Sequence, residues 1–182
     1  METAGPEEVL QFWFEEIEPR QWWAVEEPFD RAVAARFGST HTAASRCELH
    51  AWRARPEGRL AEIIVLDQFS RNIHRGAPRA FACDPLALAL AQEAVRAGAD
   101  HAMAPERRGF LYMPFMHSES AAIHEWALQL FTAMGSEPHL ESERRHKAII
   151  DRFGRYPHRN LVLGRASTPQ EIEFLAQPGS AF

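Results

Sequence analysis

The chain has 182 residues, 46% of them hydrophobic, and a formal net charge of −5, enough for one well-buried core and short for two, so a single domain over residues 1–182 is expected. The opening Met-Glu-Thr-Ala-Gly-Pro-Glu-Glu has neither the basic flank nor the apolar stretch of a signal peptide, and no later run is long and apolar enough to cross a bilayer, so the expectation is a soluble, cytoplasmic protein with no membrane partner. An acidic balance without a recognised binding module argues against nucleic acid, and Cys47 and Cys83 are too few for a disulfide framework and lack zinc spacing, which predicts reduced, buried thiols.

Helix signals run along nearly the whole sequence. Pro6, with Glu7 and Glu8 behind it, opens a first helix carrying Val9, Leu10, Trp13, Phe14 and Ile17. Pro28 opens a second with Phe29, Ala32, Val33 and Phe37, stopped by Gly38. A third is predicted from His41 to Trp52, and Pro56 and Gly58 mark the turn before a helix reaching Arg75. Asp84-Pro85 reads as a cap followed by a first-position proline, opening a helix that Gly98 ends. Pro105 leads into the apolar stretch from Phe110 to Met134, with a break or kink predicted at Pro114. A helix from Leu140 to Phe153 stops at Gly154, and Thr168-Pro169-Gln170-Glu171 has capping-box spacing for a short last helix over Pro169 to Ala176. Eight or nine helices with short links predict an all-α fold, an antiparallel helix array of helical hairpins.

The segment from Gly58 to Arg75 is the most informative. At 100° per residue Leu60, Ile64, Asp67, Arg71 and His74 share one ridge, so the apolar neighbours predict burial of Asp67 and Arg71. Buried charges need partners. Either the two form a structural i, i+4 pair or they belong to a ligand pocket.

Four ordered motifs carry a family resemblance: Leu66-Asp67-Gln68-Phe69-Ser70-Arg71-Asn72, Arg79-Ala80-Phe81-Ala82-Cys83-Asp84, Phe110 to Glu119, and Phe153-Gly154-Arg155-Tyr156-Pro157-His158-Arg159-Asn160. Together they resemble the bacterial domain-of-unknown-function family 924 over nearly the whole chain, with Ser70 where the pattern usually has proline and His124 where it usually has glutamine. The resemblance implies a helical fold similar to the tetratricopeptide superfamily and no established activity.

If the helix after Pro114 is continuous from Met116, Glu119 falls in a stripe with Met116, Ile123, Trp126, Ala127 and Leu130 and needs a cationic partner, for which Arg71, Arg155 and Arg159 are the candidates. Pro157 biases Tyr156 away from helix, making Arg155 to Asn160 a stiff connector able to aim Arg155, His158 and Arg159 inward. Set against Asp67 and Glu119, the three arginines leave one positive charge over, which favours a small anionic guest, carboxylate or phosphate. The basic run from Arg144 to Arg165 holds seven Arg or Lys residues against Asp151 alone; pairing with the acidic remainder of the chain is the preferred reading.

Competing chemistries are weaker. His117, Ser118, Glu119, His124 and Asp67 offer enough nitrogen and oxygen ligands for a divalent metal, with His117 and His124 at i, i+7, but the segment from His124 lacks the second histidine of the zinc-protease motif; no nucleophile elbow surrounds Ser70, Ser118 or Cys83, and no glycine-rich phosphate loop is present. No metal or cofactor is therefore expected. Trp22-Trp23 sits outside any stripe, so one ring is expected to line a groove. Two readings follow: a binding or scaffold domain that takes a protein or peptide partner in a helical groove and is locked by a buried Asp, Glu, Arg and His network; or a small-molecule enzyme or sensor with an anion pocket. The candidate ligand-binding residues are Asp67, Gln68, Arg71, Asn72, Tyr112, His117, Glu119, Arg155, His158, Arg159 and Asn160.

Overall fold

The computed structural model describes residues 3–180; Met1 and Glu2 of the leader reading, and the last two residues of the expected domain, lie outside them. Among the described residues every regular element is helical. Helix α1 (Pro6–Gln11) widens into a π-type turn over Phe12–Glu16 that sends both Phe12 and Trp13 into the core. The others are α2 (Glu27–Ser45), α3 (Pro56–Ile64), α4 (Ser70–Ile73), α5 (Asp84–Arg96), α6 (Pro105–Met116), α7 (Ala121–Met134), α8 (Glu137–Phe153) and α9 (Pro169–Leu175). Prolines occupy the first turns of α1, α2, α3, α5, α6, α8 and α9, where their missing N–H costs nothing.

Helix α3 passes through a π-type stretch, Val65–Phe69, straight into α4, so the two form one rod. Every residue from 60 to 70 is buried, which means this rod is covered on all sides, by α1, α2, α5 and α6. Its polar residues are satisfied internally: Glu62 accepts two hydrogen bonds of 2.7 Å from Arg53, and Asp67 lies 3.1 Å from Arg71 in the predicted i, i+4 pair. The two-residue link between α7 and α8, and the short one between α6 and α7, reverse the chain, and each pair packs as neighbours.

Three boundaries differ from the sequence reading. Gly38 does not stop α2, because Thr40, His41, Ala43 and Ala44 extend the buried stripe beyond it. Packing of those residues against α4 and the π-type stretch outweighs a glycine's helix penalty of about 1 kcal/mol. The helix ends at Ser45, and the predicted third helix reduces to a 3-10 turn, His50–Ala54. Pro114 does not break α6, since it lies in the last turn and the helix needs few further bonds. The break falls after Met116, which puts Glu119 in a connector and not on the apolar stripe of α7. Finally, Asp84 begins α5 without capping it; its carboxylate is used elsewhere.

Candidate functional site

One end of the central rod meets the start of α5, the α6–α7 connector and the loop after α8, and an open pocket of about 360 Å³ lies between them. Its walls include Phe81, Asp84, Pro114, His117, Glu119 and Arg159. Gly154, in the left-handed region at φ 69°, ends α8. Pro157 then starts a 3-10 turn, Pro157–Arg159, that carries Arg159 inward, as the stiff-connector reading expected.

The pocket floor is a charged network anchored on the rod. Asp67 is 1% exposed and accepts from His117 Nδ1 at 2.7 Å, while Arg71 donates to its backbone carbonyl at 2.7 Å. Burial by itself would raise the Asp67 carboxyl; the charges of Arg71 and His117 and hydrogen bonds from His117 and Gln68 outweigh it and hold it below the usual carboxylate range. Arg71 also forks onto Asp84, at 3.0 and 3.1 Å. Asp84 takes a third hydrogen bond, 3.2 Å, from Arg159 Nη1.

Arg159 is the least satisfied member. Its side chain is 7% exposed, and its Nε finds no hydrogen-bond partner among the described residues. The guanidinium lies 4.6 Å from the ring centres of both Phe81 and Tyr156, contacts that stabilise a cation without neutralising it. Burial, reinforced by Arg71, pulls its pKa down, whereas that of Arg71 is raised, its two aspartates outweighing burial.

The connector that carries His117, Ser118 and Glu119 is pinned from below. Tyr156 donates its hydroxyl to Met116 O, and His124 Nε2 donates to Ser118 O at 2.9 Å. His124 and Glu143, both wholly buried, meet at 2.7 Å on the other ring nitrogen, and burial pushes the Glu143 carboxyl up.

Of the predicted residues, His117, Glu119 and Arg159 line the pocket and Asp67, Gln68 and Arg71 lie beneath it. His158 packs on Tyr156, ring centres 5.5 Å apart, and burial pulls it down to about 4. The others are placed elsewhere by their own partners. Asn72 donates to Asp30 at 2.8 Å and ties α4 to α2; Tyr112 donates to Asp100 at 2.6 Å; Arg155 forks onto Glu171 at 2.7 and 2.8 Å and locks α9; Asn160 donates to Ser167 at 3.1 Å. The expected partner of Glu119 is also corrected: Arg165, at 2.5 and 2.9 Å, holds it, together with the Tyr156 N–H. The expected surplus of one positive charge is also corrected: Arg155 belongs to Glu171, and with Asp84 and Arg165 counted the local set is Asp67, Asp84 and Glu119 against Arg71, Arg159 and Arg165, three acids against three arginines with no charge left over. Asp84 and Phe81 were missed as site residues, the first because its position before Pro85 read as a helix cap. Elsewhere the basic run pairs within the chain, Arg144 with Glu137 and Lys147 with Asp151 and Glu125.

Among the described residues no group of three or more His, Cys, Asp or Glu side chains is arranged to hold a metal ion, and no helix is long and apolar enough to cross a membrane. Fold and site thus define a protein helical throughout its described residues, with a buried acid, arginine and histidine network under a pocket bordered by Arg159, Asp84 and Glu119. The chain belongs to the DUF924 family of bacterial proteins of unknown function, whose model matches residues 9–179. It is similar to a solved protein of unknown function from Agrobacterium tumefaciens, with 38% identity, a TM-score of 0.89, and coverage of 94% of this chain and 96% of that one. No curated protein matches it.

Proposed function

We propose that the protein binds a small anionic molecule, through a carboxylate or phosphate, in the pocket walled by Arg159. The observation that carries this reading is the state of that guanidinium: almost fully buried, facing a pocket, and with Nε unpartnered. Leaving a buried donor unmade costs about 1–3 kcal/mol, more for a charged group, and a carboxylate or phosphate oxygen that reaches the guanidinium offsets part of that cost with a charge-assisted hydrogen bond. A volume of about 360 Å³ lies within the roughly 300–1,000 Å³ of ordinary small-molecule sites. The remaining arginines support the scaffold reading in a limited form: Arg71, Arg155 and Arg165 each fork onto a carboxylate and lock the helices, whereas Arg159 meets Asp84 through one nitrogen only and is the recognition group of this reading. A cytoplasmic setting belongs to the same proposal, in keeping with two free thiols, Cys47 and Cys83.

The test is a thermal-shift screen of carboxylates and phosphates. Wild type should gain stability with at least one anion, and Arg159→Ala should abolish that gain while still melting cooperatively. A panel without effect, or an equal shift in the variant, overturns the proposal.

A further inference from the structure

We propose that the pocket selects anions that also carry a hydrogen-bond donor, a hydroxyl or ammonium group, and that Nε2 of His117 is the acceptor that reads it. This rests on the anion-binding reading above and adds to it the class of ligand.

The tautomer of His117 follows from its surroundings. Asp67 is surrounded by donors: Arg71, Gln68 and His117 all approach its oxygens, so it is ionised and can only accept. The hydrogen of the 2.7 Å contact therefore sits on His117 Nδ1. Burial, with Arg71 nearby, lowers the affinity of the ring for a second proton even against the pull of Asp67. A neutral imidazole with hydrogen on Nδ1 has a bare lone pair on Nε2. His117 lines the pocket, and of its two ring nitrogens Asp67 takes Nδ1, so Nε2 is the one we assign to the guest.

The rest of the lining has the same bias. Asp84 and Glu119 also border the pocket, and each already holds three donated hydrogen bonds on oxygens that can take a fourth. Arg159 supplies the positive charge. A guest with an anionic group alone would satisfy Arg159 and leave the His117 acceptor dry and unpaired; a hydroxy or amino acid, or a hydroxylated phosphate ester, satisfies both. The connector contacts made by Tyr156 and His124 fix the backbone on either side of His117, so the acceptor is held in place before the ligand arrives.

Two measurements decide the matter. Nitrogen-15 NMR of the imidazole should show His117 neutral at pH 7 with its hydrogen on Nδ1; hydrogen on Nε2, or an imidazolium, overturns the inference without touching the anion site. Titration calorimetry should then compare matched probes: lactate with propionate, malate with succinate, and glycerol phosphate with propyl phosphate. In wild type the hydroxylated member of at least one pair should bind at least about fivefold tighter, the worth of one neutral hydrogen bond. In His117→Asn the amide N–H replaces Nδ1–H toward Asp67 but nothing replaces Nε2, and the preference should fall to near unity. Equal affinities within every pair in wild type, or an unchanged preference in His117→Asn, overturn the donor rule while Arg159-dependent binding stands. If no probe binds wild type at all, the anion site falls and this inference with it.

Discussion

Asp84 joins two arginines that would otherwise repel: Arg71 through a fork and Arg159 through one nitrogen. Its removal would leave two largely buried cations with too few acceptors, so its role differs from that of a surface ion-pair member. Asp84→Asn should cost about 3 kcal/mol by urea denaturation, in the range for breaking a buried pair. Glu18→Gln, whose Arg20 contact is well exposed at both ends, should leave the denaturation midpoint unchanged. An Asp84→Asn midpoint equal to wild type would mean that water already serves Arg71 and Arg159, and the network would lose its structural role. The same residue shows why part of the site was hidden in the sequence. An aspartate before proline at a helix start is usually a cap, and only the arrival of Arg71 from 13 residues away and Arg159 from 75 away makes it a hub.

At the scale of elements, two glycines make opposite predictions. Gly38 sits inside α2 with helical backbone, and a β-carbon added there meets nothing within 4 Å. Gly38→Ala should therefore stabilise by about 0.5–1 kcal/mol, raising Tm by roughly 1–4 °C on calorimetry. Gly58 is buried at the start of α3, where a β-carbon would lie 2.0 Å from the Trp52 carbonyl oxygen. Gly58→Ala forces the backbone of the 3-10 turn apart and should lower Tm. If both variants shift alike, the placement of α3 against that turn is wrong. These positions also mark what the sequence could convey. Starts were legible because proline and acidic residues act locally, as at Pro6, Pro105 and Pro169, although Pro56, read as part of the turn before a helix, is itself the first residue of α3. Ends were harder: Gly38 looked like a stop, and only the burial of Thr40, His41 and Ala44 carries the helix past it. The Asp67–Arg71 pair was readable from i, i+4 spacing within one helix. The Glu119 partner was not, because a break three residues off its predicted place moved Glu119 from α7 into a connector facing Arg165.

For the whole molecule, the helical array is held by polar groups whose protonation differs between folded and unfolded chains. Three histidines on different elements are pushed down mainly by burial: His41 on α2 to about 4, His146 on α8 to about 3, and His158 in the loop after α8 to about 4, from an ordinary 6.5. Neighbouring basic groups add to this, His74 and Arg79 at His41 and Arg159 at His158, while Glu119 opposes it at His158 and the hydrogen bond to Ser142 O opposes it at His146. The unfolded chain takes these protons as pH falls through 6.5, and the folded chain takes them only near 4 or below. Stability is then full above 6.5 and declines between 6.5 and about 4, by roughly 1.4 kcal/mol per pH unit for each histidine. The lowered carboxylates act later. Glu171, brought to about 2 chiefly by its hydrogen bonds from Arg155, and Asp67 and Glu119, also below their ordinary values, contribute stability that disappears only as pH drops below about 4.5. Urea midpoints measured from pH 8 to pH 4 should stay flat to about 6.5 and then fall steeply, with uptake of at least two protons on unfolding at pH 5, since His74, His117 and His139 are lowered as well. His146→Gln should reduce that uptake by about one. A profile that is flat down to pH 4.5 would show that these rings are protonated in the folded protein, and that the elements packed around them already accommodate charge.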